Sequence, residues 1–209
     1  MATYLKADRF YYAHETKPAG YLELVDGRFG QWTESVPSAA QVLDYTGYQI
    51  APGLVDTHIH GYAGHDVMDN SADGLRSISQ RLPEAGVTSF LPTTLTASSQ
   101  QLEDICATIA DVAGSDKGAK IQGIYFEGPY FTEKYKGAQN AAYMKDPSLE
   151  EFKGWQKAAK GLIKKIALAP ERQGVESFVS AVTKDGVTVA LGHSNATYAE
   201  AKAAVAAGA

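Results

Sequence analysis

The chain has 209 residues and a formal net charge of -5, enough for a sizeable core and an argument against nucleic acid or an anionic membrane as main partner. Its single cysteine, Cys106, excludes an intrachain disulfide and fits a reducing compartment. No apolar run approaches the roughly 20 residues of a membrane helix, and the opening MATYLKADRFYYAHE lacks an apolar leader, so a soluble, cytoplasmic protein is expected.

Residues 1–50 read as short strands and turns. Residues 4–11 alternate loosely and 21–25 alternate better, then Asp26-Gly27 signals a hairpin with Phe29 and Trp32 on the return strand. A small β-sheet domain over 1–50 is the natural reading. From Ala51 the rhythm becomes strand, loop, helix. Residues 54–58 open the series as a strand, and a helix is expected over 71–85, stopping near Gly86. The next strand covers 87–91 and is closed by Pro92. A helix over 98–113 carries Leu102, Ile105, Cys106, Ile109 and Val112 at helical spacing, so Cys106 reads as a packing residue.

A third strand is expected over 121–126, ending at Glu127. A long loop rich in Gly and Tyr follows, then a helix over 149–159. A strand over 163–169, a helix over 175–184, a strand over 187–191 and a helix over 197–207 complete the chain. Strands and helices alternating at this interval imply a parallel sheet, and the apolar strands imply burial on both faces. No Gly-x-Gly-x-x-Gly follows any strand, so a dinucleotide fold has no support. Polar residues gather where strands end, as at the active face of a (β/α)8 barrel. The expected fold is therefore α/β, a (β/α)8 TIM-like barrel over 51–209 of which about five units are present, preceded by the small sheet domain. A partial barrel leaves an open sheet edge and an exposed apolar interior.

His58 and His60 lie two apart on an extended segment, so both point the same way. Neutral imidazole is a common ligand for catalytic divalent metals, but His-x-His alone is a weak signal. Position strengthens it, because Glu127 and His193 also end strands of the same series. A carboxylate at the rim of an apolar strand needs a partner. His65 reads as loop structure, and His14 as unrelated to the chemistry.

Several segments carry a resemblance. Ala51-Pro52-Gly53-Leu54-Val55-Asp56-Thr57-His58-Ile59-His60-Gly61 resembles the opening of the amidohydrolase superfamily. Gly86-Val87-Thr88-Ser89-Phe90-Leu91-Pro92-Thr93, Phe126-Glu127-Gly128-Pro129-Tyr130, Lys136-Gly137-Ala138-Gln139-Asn140, Ala169-Pro170-Glu171 and Leu191-Gly192-His193-Ser194-Asn195-Ala196 are similar to the N-acetylglucosamine-6-phosphate deacetylase family within it. The resemblance implies one or two divalent ions (zinc, iron or manganese), with His58 and His60 on one and His193 on the other. Glu127 would be a ligand, bridging where two ions are held. It further implies substrate contact by the Ala138 backbone and by Gln139, at a position where some members have histidine. The implied reaction is hydrolysis of the N-acetyl group of N-acetylglucosamine-6-phosphate, in a homodimer when full-length.

The resemblance also implies a general-base aspartate, a further histidine ligand and phosphate-binding arginine and histidine. None has a counterpart here; the aspartate is expected beyond residue 209, and the chain is expected to be a portion of a longer enzyme. Asp104, Asp111 and Asp185 fall on expected helices or at their ends, away from the strand ends. Two other readings stand beside the deacetylase: an amidohydrolase acting on cyclic amides or N-acyl amino acids, which the Glu-Gly-Pro and Gly-His-Ser-Asn-Ala motifs disfavour, and an inert fragment that retains metal binding or subunit association.

Overall fold

The structure is a computed structural model describing residues 2–115 and 117–209. It divides into two compact units at Gly53/Leu54. In the first unit, β1 (Thr3–Tyr11), β2 (Thr16–Lys17), β3 (Gly20–Val25), β4 (Arg28–Thr33) and β5 (Gln41–Ile50) form one sheet. Strand β1 runs antiparallel to β2 and β3 and parallel to β5, and β3 pairs antiparallel with β4. The β3–β4 turn is the expected hairpin: Asp26 and Gly27 both have positive φ (50° and 73°), the backbone of a tight two-residue turn. The buried core here is small, Ala7, Phe10 and Leu22, with Leu5, Tyr12, Trp32 and Ile50 against it.

The second unit contains β6 (Leu54–Ile59), the short hairpin β7 (Gly61–Tyr62) and β8 (His65–Asp66), α1 (Ala72–Arg81), β9 (Val87–Thr94) and α2 (Ser99–Val112). It continues through β10 (Lys120–Ile121), β11 (Ile124–Glu127), α3 (Leu149–Ala158), β12 (Ile163–Leu168), α4 (Val175–Lys184), β13 (Thr188–Leu191) and α5 (Tyr198–Ala207). The large sheet is wholly parallel: β6 on β9, β9 on β10 and β11, then β11, β12 and β13 in order. It curls as a half-barrel. Alternation along the strands sorts the side chains. Phe90, Ile124, Phe126, Ile166 and Leu168 pack with α1–α4 in the main core, which includes the α2 stripe with Cys106 fully buried. Tyr125 and Ala167 face the opposite side, with Phe131, Leu91, Met144 and Ala190. That opposite side carries the polar residues of the site.

Four local expectations are corrected. Helix α1 ends at Arg81 and continues as a 3-10 turn over Leu82–Ala85. Pro83 has no N–H to give the Ser79 carbonyl, so that carbonyl instead accepts from the Ala119 N–H at 2.7 Å. Strand β9 runs through Pro92 to Thr94, and opposite Pro92 the Ile59 N–H is satisfied by a side-chain acceptor, donating to Thr93 Oγ1 at 2.9 Å. The single strand expected over 121–126 is two, β10 and β11, broken at Gln122-Gly123. A Cβ on Gly123 would lie 2.4 Å from Lys164 Cγ, so the backbone at the break lies close against β12. Finally, β6 is not buried on both faces. Leu54 and Val55 are each 63% exposed, since β6 pairs with β9 alone among the described residues.

Candidate metal centre

Strand β6 delivers His58 within its last turn of pleat and His60 just after it, side by side as the period of two requires. Their Nε2 atoms are 3.2 Å apart, with ring planes at 75°. Strand β9 holds the second ring: His60 Nδ1 lies 3.1 Å from the Thr93 carbonyl. A carbonyl only accepts, so Nδ1 carries a hydrogen, and Nε2 is the nitrogen turned to the site. It donates to Glu127 when the ring is protonated and would offer its lone pair to a bound metal when the ring is neutral. His58 packs edge-on against Tyr125, centroids 4.9 Å apart.

Glu127 ends β11 and is 8% exposed. Its Oε1 is 3.3 Å from His58 Nε2 and 3.2 Å from His193 Nε2, and its Oε2 is 3.1 Å from His60 Nε2. Burial alone would raise its pKa; hydrogen bonds from His60 and His193 and the nearby His58 overcome that and hold it at about 2. His60 is correspondingly pushed up by the hydrogen bond with Glu127, against its own burial. The residue after Glu127 must be glycine. Gly128 has φ +94°, and a Cβ there would lie 2.2 Å from Thr96 Oγ1.

His193 follows β13 and takes a left-handed φ of 48°. The loop after β11 cradles it: Thr132 N–H donates to the His193 carbonyl at 3.0 Å, the Phe131 ring packs tilted against it with centroids 4.5 Å apart, and His193 Nδ1 sits 3.0 Å from the Tyr135 carbonyl. That contact again directs Nε2 inward. From the other side Glu171, after β12, accepts from Ser194 Oγ at 2.7 Å and from Asn195 N–H at 2.6 Å. These bonds, with one from Thr132, keep Glu171 below the usual carboxylate pKa although burial opposes them.

Of the residues singled out in the sequence, His58, His60 and Glu127 form one group with all ligand atoms within 4.8 Å of one another, and His193 reaches it through Glu127. Ligand atoms bound at ~2.1 Å to one ion lie ~3.0 Å apart along an octahedral edge and ~3.4 Å along a tetrahedral one. The observed separations of 3.1–3.3 Å fall between, so the imidazole and carboxylate set fits a divalent ion. Gln139 is 3% exposed beside Glu127, and Ala138 is exposed next to it. His65 lies in the β7–β8 hairpin and His14 in the first unit. Burial, then the Glu103 charge, pushes the Cys106 thiol up to about 12, so it is a packing group. Asp104 and Asp111 lie on α2 and Asp185 caps α4. Sequence reasoning missed Thr93, Tyr125 and Tyr135, whose roles depend on contacts between distant segments. Glu171 stood in a quoted segment without a role.

The amidohydrolase family model matches residues 50–209. The chain belongs to the amidohydrolase family. It is similar to the N-acetylglucosamine-6-phosphate deacetylase of Vibrio furnissii, 43% identical over 164 residues, covering 77% of this chain and 40% of that protein. The enzyme of the same description from Bacillus subtilis is 35% identical over 197 residues, covering 91% of this chain and 50% of the other. Among solved structures, N-acetyl-D-glucosamine-6-phosphate deacetylase from Mycobacterium smegmatis, in complex with N-acetyl-D-glucosamine-6-phosphate, superposes with a TM-score of 0.88 at 29% identity. That match covers 100% of this chain and 54% of the other. The chain thus spans about half the length of the amidohydrolase relatives it matches. No helix among the described residues is long and apolar enough to cross a membrane.

Proposed function

We propose that this chain carries the metal-holding part of a site that hydrolyses the N-acetyl group of N-acetylglucosamine-6-phosphate, releasing acetate and glucosamine-6-phosphate. The observation that carries the reading is Glu127, with three imidazole nitrogens from two strand ends within 3.3 Å of its carboxylate. The deacetylase relatives supply the substrate. His58, His60, Glu127 and His193 would hold one or two divalent ions. A bound ion supplies a water of pKa ~7 and polarisation of the acetyl carbonyl. The chain's own residues do the rest of the positioning. Thr93 and Tyr135 carbonyls fix the tautomers of His60 and His193, Tyr125 and Phe131 wall the histidines, and the exposed Ala138 backbone offers the sugar a polar edge. Zinc, manganese and iron all suit these donors.

A second reading, metal binding without turnover, is favoured by one observation. Among the described residues, the ring nitrogens of these histidines pair with no carboxylate besides Glu127, and both of its oxygens are already shared with them, so no second carboxylate is paired into the cluster to serve as general base. Acetate release from N-acetylglucosamine-6-phosphate by the 209-residue chain loaded with zinc, manganese or iron separates the two. Turnover that disappears in His193→Ala supports the deacetylase. Retained metal with no acetate assigns the isolated chain to the second reading, and a chain that takes up no divalent ion overturns both.

A further inference from the structure

We propose that Gln139 is a positioning residue for the metal centre, fixing the orientation of the Glu127 carboxylate. The inference rests on the metal-site reading above and adds a residue to it. Gln139 comes from the loop after β11 and is 3% exposed. Both ends of its amide are committed. Its Oε1 accepts from the Thr96 backbone N–H at 2.7 Å, and its Nε2 donates to Glu127 Oε2 at 2.8 Å. The second is the shortest contact Glu127 makes within the cluster; the imidazole nitrogens stand at 3.1–3.3 Å.

The amide has one possible orientation. Thr96 N–H is a donor and requires an oxygen opposite it, so the nitrogen must face Glu127. A reversed amide would put two donors together at Thr96 and two acceptors together at Glu127. The backbone after β9 therefore dictates, through a planar group, which Glu127 oxygen is held. Oε2 is pinned between Gln139 and His60, while Oε1 is left to His58 and His193. The same strand fixes His60 through the Thr93 carbonyl. One segment, Thr93 to Thr96, thus sets the ring of one ligand and the carboxylate plane of another. Outer partners of this kind tune metal affinity because a ligand already aimed loses less freedom on binding.

The role requires a donor toward Glu127 as well as an acceptor toward Thr96, and substitutions separate them. Gln139→Leu removes both. Gln139→Glu keeps the acceptor for Thr96 N–H, hence the anchoring of the loop, but faces Glu127 with an oxygen. Zinc affinity of the 209-residue chain is measured by competition with a chromophoric chelator, and ligand geometry by the visible spectrum of the cobalt-loaded chain. Both variants are expected to bind zinc about ten- to a hundredfold more weakly, with an altered cobalt spectrum. If Gln139→Leu fails to fold, Gln139→Glu decides alone. Wild-type affinity and spectrum in Gln139→Glu would reduce Gln139 to a loop anchor and overturn the proposal. Glu127→Ala tests the underlying reading: its loss of zinc with Gln139→Glu unaffected sinks only the Gln139 role, whereas unchanged zinc affinity in Glu127→Ala sinks both.

Discussion

Glu127 is buried and charged at once, a combination that costs free energy unless partners compensate it. Without metal, the compensation comes from His60 and His193, with His58 nearby, and the shifts of Glu127 and His60 bound a pH window. The carboxylate, held at about 2 against an ordinary 4.5, contributes stability that is complete above 4.5 and is lost as pH falls through about 2. The His60 imidazole, raised above its ordinary 6.5, contributes fully below 6.5 and loses its contribution as pH rises through the raised value. Both act together between 4.5 and 6.5. Metal reverses the upper side, because a ligand imidazole must be neutral. In EDTA, the melting advantage of the wild type over Glu127→Gln should peak inside that window. With zinc, it should grow as pH rises through neutrality. A difference flat from pH 4 to 8 in both conditions would refute the coupling. The four ligand candidates were legible in the sequence because each ends a strand of one series, and strand ends are where such a fold gathers its chemistry. Gln139's contacts were not, since its partners Thr96 and Glu127 are 43 and 12 positions away.

At the scale of elements, the order of strands and helices was readable from periodicity, and the departures have local chemical causes. A proline that withholds one N–H ends α1, and the carbonyl it frees becomes the anchor for the segment entering β10. Gly118 sits in that anchor, where a Cβ would lie 2.0 Å from the Ser79 carbonyl oxygen, a backbone atom with no room to yield. Gly118→Ala should therefore cost about 1–3 kcal/mol by overpacking, read as a lower urea midpoint at constant slope. An unchanged midpoint would show that the α1–β10 junction is loose. The turn after β13 makes a second case. His193 holds a left-handed backbone conformation unusual for a side-chain-bearing residue, and Glu171 receives the two residues that follow it. Hydrogen bonds to a charged acceptor contribute about 1.5–3 kcal/mol each. Glu171→Ala should lower stability by about that amount, and Glu171→Gln by less, since one oxygen still accepts. If the Glu171 bonds also aim His193, zinc affinity falls in the same order, Ala below Gln. Equal affinities in all three would confine Glu171 to stability.

For the molecule as a whole, the distribution of ligands decides where metal energy goes. All four candidates lie in the unit of residues 54–209, on β6 and just after it, on β11 and after β13, and the unit of residues 2–53 supplies none. The strand the sequence leads one to expect as buried, β6, is the exposed one, because burial of a sheet edge depends on what pairs with it and not on its own apolar residues. Its ordering rests on β9 and, when metal is present, on His58 and His60. Ligand that binds only the folded state stabilises it by about 2.7 kcal/mol at a hundred times Kd. For a unit of this size that is a rise of about 5–11 °C in the transition that unfolds it. Hydrogen exchange locates the gain: amides of Leu54–Ile59 should slow most, because a metal closes β6 onto β11 where the sheet alone gives it one neighbour. Protection spread evenly over 54–209, or absent from Leu54–Ile59, would mean that the metal does not tie the edge strand into the site.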